Sequence, residues 1–268
     1  MVKKLFKHEL VFHLRSLLLV WGVLLGVALL GRGIWLFEQD SVIFDVVSVS
    51  SRIAYALAVF VCLAAPVVMG VVRFHKNLFT GEGYLSFTLP VTPFQHIWVK
   101  ITAVVLMELA SLLICFLSVA FITMGDVFAE IIKAAVYLIK EVHHAVGDHF
   151  VFYVIEFALL LVALAFAQML LFYACITAGQ LFKKNRIAAS VGVYFGYYFL
   201  TQVFGTVIAV IVAVTPETVW EKIGLYIVEN IKWCMHGFFG AYILLSVVMS
   251  VVYFAVTHAI IRKKLNLE

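Results

Sequence analysis

Charge is what this sequence has least of. Only 13% of its 268 residues are Asp, Glu, Lys or Arg, against about a quarter in a soluble domain. Apolar residues make up 65%, and the mean hydropathy is +1.11. That balance excludes an ordinary soluble chain and points to a polytopic membrane protein. The net charge is only +4, so no nucleic-acid partner is expected. Cysteine is scarce too: Cys62, Cys115, Cys175 and Cys234 stand far apart. Their spacing gives neither a disulfide framework nor a zinc-ligand set, so they are read as small buried hydrophobes. A G-x-x-x-x-G-K-[ST] phosphate loop is missing, as are an HExxH pair, a Ser-His-Asp pattern and paired intramembrane glutamates. No enzyme chemistry and no ATP site of its own are therefore expected of this chain.

What the sequence has in abundance is long apolar runs. Six of them, near 17–37, 53–72, 97–124, 150–178, 187–214 and 238–261, reach the roughly 20 residues that a helix needs to cross a bilayer. They lack the alternation of barrel strands and are too long for them. The expected fold is an all-α polytopic membrane protein of six transmembrane helices, forming one domain over 1–268. The N-terminal segment (Lys3, Lys4, Lys7, Arg15), the loop 73–100, the loop around 183–186 and the C-terminal segment hold thirteen of the nineteen Lys and Arg. Acidic residues lean to the other side. The positive-inside bias predicts both termini and the loop 73–100 in the cytoplasm. No small-x-small cleavage site follows the first apolar run, so it is read as a retained span and not as a signal peptide.

Three connecting segments carry helical patterning. Over 2–15, Val2, Leu5, Phe6, Leu10 and Phe12 share one arc, while Lys3, Lys4, Lys7, His8 and Arg15 share the other. This predicts an interfacial helix over 1–16 on anionic lipid, with Glu9 and His13 as misfits in its apolar arc. Over 125–149, Glu130, Lys133, Tyr137, Lys140 and Glu141 oppose Ile131, Ile132, Ala135, Leu138 and Ile139. This predicts an outer amphipathic helix that does not span. Over 215–237, Thr215-Pro216 predicts a helix start capped by Thr215. Its scattered apolar residues fit a re-entrant or an interfacial segment equally. Gly22/Gly26 and Gly192/Gly196 have the GxxxG spacing, read first as packing within the chain and second as a dimer seam. Glu108 is the carboxylate expected deepest in the membrane, held by a bundle hydrogen bond or serving as an ion site. Glu156 is read as reaching the headgroups. His143, His144 and His149 with Asp148 match no standard ligand spacing, so no metal is expected.

The loop 73–100 holds two helix-start signals. Thr92-Pro93-Phe94-Gln95 is a capping box with Pro at the first helical position. Thr80-Gly81-Glu82-Gly83 opens a short helix over 84–88 whose Tyr84, Leu85 and Phe87 are more than a solvated loop would carry. Pro90 ends it. Glu82-Gly83, the apolar 84–88, Pro90-Val91-Thr92 and Lys100 together resemble the cytoplasmic loop of six-span ABC transporter permeases of the type-two exporter class, and the layout of nearly the whole chain agrees. Gly81 stands at the family's more usual distance from the proline.

The resemblance implies that 84–88 is a coupling helix seated on a separate cytoplasmic ABC ATPase. Glu82, Gly83, Tyr84, Leu85, Phe87 and Pro90 would make the contact, and ATP and magnesium would be held by that partner. A second permease copy, identical or different, would complete the path in a bacterial plasma membrane. The cargo would be amphipathic or lipophilic: a peptide antibiotic, a lipid or a drug-like molecule. Two other functions fit the sequence: an ATPase-linked sensor without transport, and an ion-coupled carrier using Glu108.

Overall fold

The computed structural model describes residues 2–36, 41–81, 83 and 90–264. Among them are eight helices and no strands: α1 (Val2–Leu36), α2 (Val42–Phe79), α3 (Pro93–Ile122), α4 (Asp126–Val146), α5 (His149–Gly179), α6 (Arg186–Val214), α7 (Glu217–Glu229) and α8 (Ile231–Lys264). All but α4 and α7 are long and apolar enough to cross a membrane. They run from 29 to 38 residues, or about 44 to 57 Å at 1.5 Å per residue. Each therefore exceeds a hydrocarbon core of about 30 Å and carries polar turns beyond it.

Local chemistry explains most helix ends. At α3 the capping box forms as read: Gln95 N–H donates to Thr92 Oγ1 (3.3 Å), Thr92 N–H donates to Gln95 Oε1 (3.1 Å), and Pro93 opens the helix. The segment from 126 is a separate amphipathic helix, α4. It is set off from α3 by a turn at Gly125 (φ +120°) and from α5 by Gly147 (φ +64°), backbone states that glycine adopts without strain.

Elsewhere the helices depart from the expectation. The interfacial helix expected over 1–16 is no separate element. The stretch FHLRSLLLV at 12–20 contains neither Pro nor Gly to break the ladder, so α1 continues without interruption into the first apolar run. α2 likewise runs past residue 72 to Phe79, so Arg73 and Lys76 belong to a helix and not to a loop. Thr215 caps the wrong helix for the reading given above. Its N–H and its hydroxyl both donate to Ile211 O (3.1 and 2.7 Å), closing α6, and its extended backbone suits the residue before a proline. α7 starts after Pro216 with no side-chain cap, and only Asn230 separates it from α8.

Contacts gather the helices into two compact units, one on α1, α2, α3 and most of α4, the other on α5 to α8. In the first, α1 packs on α3. A stripe on α1 at Glu9, His13, Leu17, Leu24 and Ala28 is buried, as are Ile97, Ile101 and Val104 on α3. Leu24, Cys62 and Cys115 form a core cluster that brings in α2. Two polar links cross the apolar interior: Trp21 Nε1–H donates to Ser111 Oγ (3.0 Å), and the Tyr55 and Ser118 hydroxyls share a 2.8 Å bond.

In the second unit α5 packs on α8 and α6, and α7 packs on α8. The α5–α6 approach is closest at Gly179, where a Cβ would stand 2.6 Å from Ser190 N and 2.7 Å from its Cα. Only glycine fits there. The GxxxG glycines differ. A Cβ at Gly22, Gly26, Gly192 or Gly196 meets nothing within 4 Å. Among the described residues they pack no helix of this chain, contrary to the first reading given them.

Candidate functional site

Glu9 and His13 sit on the first turns of α1, in the buried stripe that continues through Leu17 to Ala28, with the exposed Phe12 ring beside them. Glu9 and His13, the two misfits of the arc, are each 1% exposed. Glu9 Oε2 accepts from Arg73 Nε–H of α2, and Glu9 Oε1 accepts from Lys100 Nζ of α3 at 2.7 Å. The Arg73 guanidinium lies over the Phe12 ring, 3.6 Å from its centroid, a cation–π placement. Lys100 is itself only 4% exposed. An isolated carboxylate at such a depth would be costly. Two cations from two other helices offset that cost, and the result is one carboxylate tying α1, α2 and α3 together. The exposed Lys3, Lys4, Lys7 and Arg15 point away from it.

Arg73 and Lys100 are the two ends of the polar segment read as the coupling loop, so both flanks of that segment are fastened to one group on α1. Within it, Gly83 is buried and its N–H donates to Thr80 O (2.7 Å), while Pro90 is exposed. Glu82, Tyr84, Leu85 and Phe87 lie outside the described residues.

Glu108 stands partly buried on α3, and its Oε2 has no hydrogen-bond partner. It joins no other acid. The α4 histidines His143 and His144 are exposed and stay apart from His149, His143 resting instead near the Phe150 ring (5.8 Å).

A second polar cluster was missed by sequence reasoning. On α5, His149, Tyr153 and Glu156 follow i, i+4, i+7 spacing and share a face. On α8, His236 meets that face. His236 Nδ1 lies 2.7 Å from Glu156 Oε1, and His149 Nδ1 lies 2.9 Å from His236 Nε2. The Tyr153 ring sits 4.5 Å from that of His236, and its hydroxyl donates to Lys232 O (2.9 Å). The spacing on α5 was visible in the sequence; the partner, about 80 residues on, was not. Glu156 thus bonds to a histidine where a reach to the headgroups was expected. Among the described residues no group of three or more His, Cys, Asp or Glu is placed to hold a metal ion.

Among the described residues the fold is all-helical, and its six long apolar helices are those of a multi-pass membrane protein by length and composition. Its buried charges concentrate at the flanks of one polar segment. No protein-family model, curated protein or solved structure matches it.

Proposed function

We propose that this chain is the membrane-spanning permease subunit of an ATP-driven exporter of the ABC type, moving an amphipathic or lipophilic molecule. The observation that carries the reading is the fastening of Arg73 and Lys100 on Glu9. A cytoplasmic ATPase that pushed on the segment between them would push α1, α2 and α3 together, because a buried charge cluster yields as a unit rather than stretching. The missing phosphate loop fits an energy source on another chain. The positive-inside bias sets this end on the side where ATP is found. The apolar Tyr84, Leu85 and Phe87 supply a surface for the ATPase to seat. Two permease copies, identical or different, form the path.

The test is purification from native membranes and reconstitution in vesicles. The wild-type chain retains an ATP-binding subunit, and ATP drives export of a lipophilic dye. Changing Tyr84, Leu85 and Phe87 together to Ser releases that subunit while the helical fold still melts as before. Full retention of the ATPase by the triple variant contradicts the proposal. ATP turnover without export supports the sensor reading instead. The unpartnered Glu108 Oε2 favours the ion-coupled carrier as second reading. It requires transport without ATP that is lost in Glu108→Gln.

A further inference from the structure

We infer that His149, His236 and Glu156 form a proton-operated clasp between the first turns of α5 and the first turns of α8. The inference goes beyond the proposed transport role and does not depend on it. It rests on a count of hydrogen atoms. The Glu156 carboxylate can only accept, so His236 Nδ1 carries the hydrogen of their 2.7 Å bond. A neutral His236 then presents Nε2 as a lone pair. His149 Nδ1, 2.9 Å away, must supply the hydrogen of the second bond. With both histidines neutral one arrangement satisfies both bonds, and it leaves His149 Nε2 without a hydrogen.

A first added proton disturbs neither bond: it rests on His149 Nε2, or, with the shared hydrogen of the 2.9 Å bond shifted across, it leaves His236 as the imidazolium beside the Glu156 carboxylate, donating from both ring nitrogens. A second proton has no harmless place. On His236 Nε2 it sets two N–H groups face to face at hydrogen-bond distance, on two cationic rings, and the bond between α5 and α8 is lost. On Glu156 it removes the charge that strengthens the His236 bond. The clasp holds with one extra proton and opens with two, so its protonation is a property of the group as a whole.

Among the described residues no further ion pair joins this cluster, Lys232 of α8 included. From α5 the cluster is faced by Tyr153, and from α8 by Trp233 and the backbone carbonyl of Lys232. Packed on α8, α7 brings Glu217, Glu221, Lys222 and Glu229; the end of α4 brings His143 and His144, and the link before α5 brings Asp148. Among the described residues the Glu156–His236 contact is the one ion pair that involves any of them. α6 meets α5 at its far end, where Ser190 bonds Ile176 O, and its Tyr197 bonds Tyr253. The His236 and Glu156 side chains are 18% and 26% exposed. Opening the clasp frees the start of α8, and with it α7, from α5.

Hydrogen–deuterium exchange of the full chain in nanodiscs of zwitterionic lipid tests this, with rates corrected for the intrinsic pH effect. Peptides over 148–156 and 231–240 should lose protection together, by roughly fivefold, the population equivalent of one net hydrogen bond. The loss should come as the pH of the sample is lowered from about 7.5 to about 4.5. Peptides over 97–105 in α3 serve as the reference. His149→Gln, whose amide donates without taking a proton, should keep protection at the acid end. His236→Phe should be unprotected throughout and show no step. His143→Gln and His144→Gln should leave the wild-type step in place. Constant wild-type protection relative to α3 overturns the proposal. So does an undiminished step in His149→Gln, or a step that vanishes with His143 or His144.

Discussion

Glu9 is the residue on which the first unit depends most, and the reason is its lack of alternatives. Its carboxylate is 1% exposed and meets Arg73 and Lys100. Removing one partner of such a set leaves an uncompensated buried charge, at a cost of about 3 to 5 kcal/mol. Glu9→Ala should therefore melt well below the wild-type protein in detergent. Replacing all three, with Glu9→Leu, Arg73→Met and Lys100→Met, should restore most of the melting temperature, because apolar residues of similar volume pack there without desolvating charge. If the proposed coupling role holds, this triple variant still fails to export although it folds. A melting temperature in Glu9→Ala equal to that of the wild type contradicts the buried cluster. The sequence displayed Glu9 and His13 as two misfits in an apolar arc. It could not display their partners, since Arg73 and Lys100 stand 64 and 91 residues away. Periodicity reports which face a residue occupies, and a buried ion pair is a property of two faces.

At the scale of elements, what was legible followed from local chemistry. The capping box at Thr92 formed because its two bonds join residues three apart. The six long helices follow from hydropathy. Helix ends without a breaker were not legible: the end of α2 at Phe79 and the passage of α1 through residue 16 depend on what packs against those turns. Thr215 had two helices to cap, and the sequence could not say which would claim it.

Glycines separate in the same way. Gly179→Ala should destabilise the α5–α6 junction by about 1 to 3 kcal/mol, because a Cβ there meets Ser190 backbone atoms at 2.6 and 2.7 Å, and backbone cannot swing aside. Gly192→Ala, with nothing within 4 Å of the added carbon, should leave the melting temperature of the monomer unchanged or slightly raised. Both are read by thermal melting of the detergent-solubilised chain. Equal effects at the two positions contradict the close approach. A loss at Gly192 confined to an oligomeric form marks that face as a seam between copies.

At the scale of the whole molecule, hydropathy marks the six candidate spans but not the grouping of helices into two units, which rests on contacts between distant segments. The orientation is a separate matter, set by where lysine and arginine fall along the chain. An even number of spans puts both termini on one side. The excess of Lys and Arg near Lys4 and Lys184 over the segments near Lys140 and Lys222 predicts that this side is the cytoplasm. Single cysteines test this, in a chain whose partly exposed Cys234 is changed to Ala. Cys62, Cys115 and Cys175 are buried and stay in place. A membrane-impermeant maleimide applied to intact cells should label Lys140→Cys and Lys222→Cys. It should reach Lys4→Cys and Lys184→Cys only after the membrane is opened. The reverse pattern would put the Glu9, Arg73 and Lys100 cluster outside, away from any ATP. The proposed coupling of an ATPase to the segment between Arg73 and Lys100 would then fail on topology alone, whatever that segment binds.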